Sequence, residues 1–458
     1  MTRPNVVIIA IDSLRASHLG CYGYDKPTSP HIDALARESV VFDRAFAPGI
    51  PTMPSFTTLL SGLHPYRHGI TAHSSGQRLS EAIVPLPQIA HQGGYVTIGI
   101  DNLAIQGNGR GSWFSRGFDY YSGYLYKPFS NQSEQIADRA LRFITDFKEK
   151  PFLLFVHLWD PHTPYGPPPP FDTLHYDAAN PDPNAPTLAE VKAISPEYYE
   201  AFLGEMKLNH PDDYNDVVAQ YDGEISYVDT QVERILAHLK AAGVWENTIV
   251  VLMSDHGECF GEGNVYFDHH GLYDAVLRVA LMCHVPGGLS GRSNAIVSTE
   301  DILPTLMELC GWNGPAEYAL TGRSFAPALR EGEAFSGRER IIGVESSRQA
   351  SVCLRTEKWK FILPITEDAR GNPLPDIYGQ PRDPRPLLFD LENDPEEKHD
   401  VGSEFPDVIT SLSCELADWR ADEVMWRGGD DPLLENGLSL GFDAFMTRLR
   451  ARQLFKPD

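Results

Sequence analysis

In the stretch Asn5-Val6-Val7-Ile8-Ile9-Ala10-Ile11-Asp12-Ser13, an almost unbroken β-branched run ends on a carboxylate. A surface strand alternates apolar and polar residues. This run does not, so it reads as a strand covered on both faces, as in a parallel sheet. Open α/β sheets gather functional groups at the carboxyl ends of their strands, which is where Asp12 falls. Two further runs have the same form. Phe152 to Leu158 delivers Trp159-Asp160-Pro161-His162-Thr163-Pro164-Tyr165, and Thr248 to Met253 delivers Ser254-Asp255-His256-Gly257.

Between these runs the chain alternates. Helical spacing marks residues 31–40, about 132–148 and about 222–241, and shorter strands are expected at 94–100 and 277–285. Strands alternating with helices define a doubly wound, mostly parallel α/β core. Residues 166–220 break the pattern, opening with Pro167 to Pro170 and continuing rich in Pro, Asp and Asn. They read as a surface insertion placed beside His162, where it could serve as a lid. From residue 335 short strands at 340–344, 351–355 and 359–362 and a helix near 405–420 indicate a smaller antiparallel α+β subdomain, spanning 335–427. The catalytic α/β domain is then 1–334, and the tail 428–458 is free for an oligomer contact.

The chain of 458 residues is 42% hydrophobic and 22% charged, a globular composition. Its net charge of −25 argues against nucleic acid or an acidic membrane surface as partner. No apolar run approaches the roughly 18 residues of a membrane span. The first strand starts too early for a signal peptide, and the six cysteines form no C-x-x-C pair. Reduced thiols in a cytoplasmic protein are expected.

Pro51-Thr52-Met53-Pro54-Ser55-Phe56 reads as a loop entering a helix, with Pro54 at the first helical position. A helix N-terminus suits a tetrahedral anion, and a hydroxyl there can act as a nucleophile once its pKa is lowered. Asp12, Asp255 and His256 offer two carboxylates and an imidazole, a donor set for Mn²⁺ or Zn²⁺ with Ca²⁺ also compatible, and Thr52 is placed as the fourth ligand. His162 is the candidate proton donor to a leaving group, followed by His270. Asn102 and His269 are candidates for holding substrate oxygens. One metal is favoured, with a second open at Asp160, His162 and His269 or His270.

The ordered motifs Asp12-Ser13-Leu14-Arg15, the Thr52 elbow with Leu59-Leu60-Ser61-Gly62, Asp160-Pro161-His162, Ser254-Asp255-His256-Gly257, Tyr273-Asp274 and Leu388-Phe389-Asp390 resemble the sulfatase family of the alkaline phosphatase superfamily over nearly the whole chain. The resemblance implies an alkaline-phosphatase-like fold and a metal-dependent ester hydrolase. Sulfatases proper carry Cys or Ser where Thr52 stands, converted to formylglycine, and Arg where Phe56 stands. Their Lys-x-His after the strand at 94–100 is replaced by Ile100-Asp101-Asn102, and their paired acidic start is Asp12-Ser13. Threonine cannot become formylglycine. An unmodified Thr resembles instead the phospho-branches of the superfamily. The function expected is therefore hydrolysis of a small anionic phosphate diester or phosphonate monoester through a phospho-threonine. Direct sulfate-ester hydrolysis is the alternative, and a non-catalytic binding protein the third reading.

Overall fold

The computed structural model describes residues 3–73, 76–101, 112–123, 133–179, 181–182, 185–316, 318–330, 335–435 and 437–453. Its strands in chain order are β1 (Asn5–Ile11), β2 (Val40–Phe46), β3 (Val96–Ile100), β4 (Tyr120–Ser122), β5 (Phe152–Leu158) and β6 (Thr248–Ser254). There follow β7 (Cys259–Phe260), β8 (Tyr266–Asp268), β9 (Arg278–Val279), β10 (Leu281–His284) and β11 (Gly291–Ser298). The last four are β12 (Ile341–Glu345), β13 (Ala350–Arg355), β14 (Trp359–Ile365) and β15 (Leu387–Asp390).

Among the described residues a nine-stranded sheet runs in the order β11-β2-β10-β6-β1-β5-β3-β4, with β9 added beside β2. The β1 strand lies parallel to both β5 and β6, Ile11 pairing with Leu158 on one side and Ser254 on the other. Every residue of these three strands is buried, as their unbroken apolar runs require. Because the three end in register, Asp12, Trp159 and Asp255 leave the sheet at one edge. Antiparallel β10 lies between β2 and β6, so the sheet is mostly rather than wholly parallel. The strand expected over 277–285 is two pieces, β9 and β10, preceded by a helical turn at Asp274–Leu277.

Strands β12 to β15 form a separate antiparallel sheet. Its Val352, Leu354, Phe361 and Leu388 share an apolar cluster with Leu412 and Leu416 of the helix Pro406–Trp426. This sheet braces the Thr52 elbow: Ile50 N–H donates to the Val344 carbonyl (3.1 Å), and Val344 N–H to the Pro48 carbonyl (3.0 Å).

The insertion is packed more closely than its composition indicated. It contains helices Leu188–Ile194 and Pro196–Leu203, which bury Leu188, Val191, Tyr198 and Tyr199 in the main core. The long helix expected from about 222 begins at Tyr214, capped by Asp213, whose side chain accepts from Asn215 N–H. In the tail, the helix Phe442–Gln453 buries Met446 and Leu449 against its own chain. The apolar face of that helix is thus used internally. None of the helices with described residues is long and apolar enough to cross a membrane.

Candidate metal centre

The helix carrying the elbow spans Thr52–Ser61, starting at Thr52 rather than at Pro54. Pro51 precedes it, and Pro54 sits within the first turn, where an N–H has no intrahelical partner in any case. Thr52 therefore stands at the positive end of the helix dipole, with the whole helix buried. Its Oγ1 lies 3.3 Å from His256 Nε2. The same Nε2 is 3.3 Å from Asp255 Oδ2 and 3.8 Å from Asp12 Oδ1. The four residues that the chain scatters over more than two hundred positions thus converge.

Each carboxylate is held by the backbone around it. Ser13 adopts a left-handed φ of 55°, uncommon for a non-glycine residue. That turn lets Ser13 N–H donate to Asp255 Oδ1 (3.0 Å) while Ser13 Oγ donates to Asp12 Oδ1 (3.0 Å). Tyr221, from the long helix, donates its hydroxyl to the Ser13 carbonyl at 2.7 Å and accepts from Arg15 N–H at 2.8 Å, pinning the turn. His256 N–H donates to Asp255 Oδ1 (2.8 Å), and the Ser55 hydroxyl donates to the Asp255 carbonyl (2.6 Å).

Asp255 Oδ2 is left buried without a hydrogen-bond partner. An orphaned buried carboxylate oxygen is costly, and a cation on it removes the cost. One donor atom each from Asp12, Asp255 and His256 lies within 4.8 Å of the others. A divalent metal fits this donor set: two hard oxygens and an imidazole suit Mn²⁺ or Zn²⁺.

The titration of the bare cluster agrees. Burial would raise Asp12, but the charges of His162 and His157 and the hydrogen bond from His157 hold it well below the usual carboxylate range. Burial, and then repulsion from Asp12, push Asp255 well above that range. Burial likewise lowers His256. The two carboxylates therefore compete for one place as anions until a cation joins them.

His157, inside a buried apolar strand and part of no motif, also belongs to the centre. It lies fully buried between two carboxylates, Nε2 3.0 Å from Asp12 Oδ2 and Nδ1 2.7 Å from Asp101 Oδ1. Burial would lower its pKa, and the hydrogen bonds to Asp101 and Asp12 instead raise it to about 10. The signal was present: one imidazole in an otherwise apolar buried strand needs partners. Asp101 in turn accepts from the Tyr121 hydroxyl. Its neighbour Asn102, the expected substrate contact, lies outside the described residues. Phe56 fills the space beside this relay, its ring 4.6 Å from His157 and 5.6 Å from Phe155.

The remaining histidines line the other wall. His162 is half-buried and stacked on Trp159 at 4.6 Å, with its ring 4.9 Å from His269. His269 stacks on His256 at 4.7 Å and lies 5.4 Å from His270. Burial, with the charge of His256 and then His162, drives His269 well below the usual imidazole pKa. His270 sits deeper, Nδ1 3.6 Å from Glu345 Oε2 and Nε2 3.9 Å from Asp268 Oδ1. Asp160, a candidate for a second metal, accepts from Ser133 N–H (3.1 Å) and its hydroxyl at the start of a helix.

Residues 4–312 match the sulfatase family model. The chain belongs to the sulfatase family, a family of metal-dependent ester hydrolases with the alkaline-phosphatase-like fold. It is 25% identical over 464 residues to a Delta 4,5-hexuronate-2-O-sulfatase of Bacteroides thetaiotaomicron, covering 94% of this chain and 90% of that one. It is 29% identical over 335 residues to the iduronate 2-sulfatase of Mus musculus, covering 62% of this chain and 59% of the mouse protein. Among solved structures, the phosphonate monoester hydrolase of Agrobacterium radiobacter superposes with a TM-score of 0.72 at 22% identity, covering 92% of this chain and 96% of that one. A 2-O GAG sulfatase gives 0.72 at 21% identity over 92% and 93%. At such identities the superpositions establish the fold alone.

Proposed function

We propose that the protein hydrolyses small anionic phosphate diesters or phosphonate monoesters, with Thr52 as nucleophile. One observation carries this reading: an unmodified hydroxyl, at a helix N-terminus, stands 3.3 Å from the imidazole of a converged Asp-Asp-His set. Asp12, Asp255 and His256 would hold the metal, Mn²⁺ or Zn²⁺, with Thr52 as fourth donor. When bound, the ion supplies a Lewis acid that lowers the pKa of a neighbouring hydroxyl and offsets oxyanion charge.

Thr52 Oγ, its proton lost to solvent, forms a bond to phosphorus as the bond to the leaving oxygen breaks in line with it. His162 gives that oxygen its proton, helped by its half-exposed place on the opposite wall. Water then attacks the phospho-threonine, the Thr52 oxygen departs and the free hydroxyl returns. The positive end of the Thr52–Ser61 helix bears on the charge that grows in both steps. His269, beside His256 and His162, is assigned to a non-bridging oxygen, and His270 to support behind it.

The departures from the sulfatase pattern support a phosphoryl substrate. Phe56 puts an aromatic ring, packed on His157, where those enzymes carry a guanidinium. A direct sulfatase is the second reading, favoured by the names of the relatives in the comparison. The deciding experiment strips the metal and restores Mn²⁺ or Zn²⁺. It then compares bis-p-nitrophenyl phosphate, p-nitrophenyl phenylphosphonate, p-nitrophenyl phosphate and p-nitrophenyl sulfate, with Thr52→Ala alongside. Metal-dependent diester or phosphonate turnover that vanishes in the variant is expected. Preference for the sulfate establishes the second reading instead.

A further inference from the structure

The hairpin β7–β8 rises directly from the metal centre and returns to it. Its register pairs Cys259 with Asp268, so Glu258 and His269, the next residue on each side, face one another at its neck. Glu258 is wholly buried beside the Tyr165 hydroxyl, yet neither of its carboxylate oxygens makes a hydrogen bond of ordinary geometry. His269 Nδ1 and His270 Nδ1 are likewise without one. Donors from Asp268, His269 and His270 nonetheless point toward a common place, with Glu258 flanking it on the His269 side. His269 Nδ1 is 3.8 Å from Glu258 Oε1 and 4.0 Å from Asp268 Oδ1, and His270 Nε2 is 3.9 Å from the same Asp268 oxygen.

Those separations are too long for hydrogen bonds between the donors. Two ligands bonded to one ion at about 2.0–2.2 Å sit roughly 3–4 Å apart, which is the spacing found. One donor atom each from Asp268, His269 and His270 lies within 4.8 Å of the others. We infer that Asp268, His269 and His270, completed by the Glu258 carboxylate that faces His269, form a second divalent-metal site, beside and distinct from the Asp12–Asp255–His256 centre. Two imidazoles with two carboxylates select Zn²⁺ or Mn²⁺ over Ca²⁺ or Mg²⁺.

The surroundings are built for such a site. Asp268 is fixed from behind, its Oδ2 accepting from the buried Arg348 guanidinium and from the Tyr198 hydroxyl, while Oδ1 stays turned to the histidines. The far nitrogen of His270 faces Glu345 at 3.6 Å, just beyond hydrogen-bond reach, on the side from which a carboxylate orients a metal-ligating imidazole. Glu345 is itself held by Gly271 N–H (3.0 Å) and by Gln349 (2.7 Å). Arg348 balances Asp268 but leaves Glu258 with His269 as its charged neighbour in the ion pairs among the described residues. A cation there would also supply the positive charge that Phe56 does not.

Metal counting tests this independently of which ester is cleaved. Untagged protein is stripped with chelator, dialysed against Zn²⁺, washed and measured by inductively coupled plasma mass spectrometry. Two zinc ions per chain are expected, falling to one in Glu258→Gln and in His270→Gln, with Glu258→Asp keeping two. Asp255→Asn should separately lose the other ion, and Asp255→Asn with Glu258→Gln should hold none. The two single variants are read together, so misfolding of one, seen by circular dichroism, leaves the other decisive. One ion in the unmodified protein, or two that survive both hairpin substitutions, overturns the second site. Loss of an ion in Asp255→Asn alone would leave the first centre standing without it.

Discussion

The two walls of the centre are built differently. Asp12, His157 and Asp255 come from the ends of three adjacent buried strands, and the β1–β5 and β1–β6 registers set their spacing. His162, His269 and His270 come from turns that follow a strand or a hairpin; His162 meets His269 ring to ring across the sequence, and His269 stacks on His256 of the first wall. Groups on the first wall are fixed to a tolerance that metal binding and in-line attack demand. Those on the second are placed by turns and ring contacts, with His162 and His269 half-buried and His270 buried. The lesson is a division of labour within this molecule: the sheet edge sets the spacing of the Asp12 and Asp255 carboxylates, and the turns bring histidines up beside them.

The sharpest way to break that division is at Thr52. Thr52→Ala removes one hydroxyl at the helix start and should leave the melting temperature nearly unchanged. Turnover of the preferred ester should fall by at least about 10³-fold in kcat/KM, since losing a nucleophile removes the covalent route altogether. A variant that keeps a tenth of the activity would move the nucleophile elsewhere.

On the second wall, His162→Asn should cost about 10²–10⁴-fold with an alkyl leaving group and only a few-fold with p-nitrophenolate, which needs no proton to depart. Equal losses with both would assign His162 to binding rather than to proton transfer. His157 belongs to the first wall yet touches no substrate, so it acts through Asp12. His157→Gln should weaken metal affinity about 10–100-fold, with kcat largely recovered at saturating Mn²⁺ or Zn²⁺. Metal titration monitored by activity and by calorimetry separates this from simple unfolding, which excess metal would not reverse.

The same contrast explains what could be foreseen from residues alone. Asp12 and Asp255 were legible because each ends an apolar run, and a strand end has only one edge to occupy in a parallel sheet. The elbow was legible as a helix start, but its first residue was misplaced because Pro54 resembles an N-terminal proline while Pro51 is the residue that precedes the helix. His157 was passed over because sequence shows a polar residue inside a strand without showing its partners, Asp12 and Asp101, which lie 145 and 56 positions away. The insertion read as loose because proline, aspartate and asparagine dominate its composition. The apolar residues between them, Tyr198 and Tyr199 included, anchor it in the core. Glu258 lies two residues after His256, but only the hairpin register shows that it faces His269.

The smallest expected effect concerns Asp255 and sets the carboxylate repulsion of the first wall against its metal. A free carboxyl titrates near 3.9. In the folded, metal-free protein burial and Asp12 push Asp255 well above that. The unfolded chain therefore releases this proton at lower pH than the folded one, so Asp255 subtracts stability progressively as pH rises above about 4. Asp255→Asn cannot ionise and escapes the penalty. The melting temperature of metal-free Asp255→Asn should match that of the unmodified protein near pH 4 and exceed it by a few degrees at pH 8. Taking the difference between the two proteins removes groups that titrate alike in both. Added Zn²⁺ or Mn²⁺ at pH 8 should then reverse the order, because only the unmodified protein keeps both carboxylates to bind it. Parallel curves across this range would mean that Asp255 is not strained by its neighbour, and that the first wall is preset for something other than a cation.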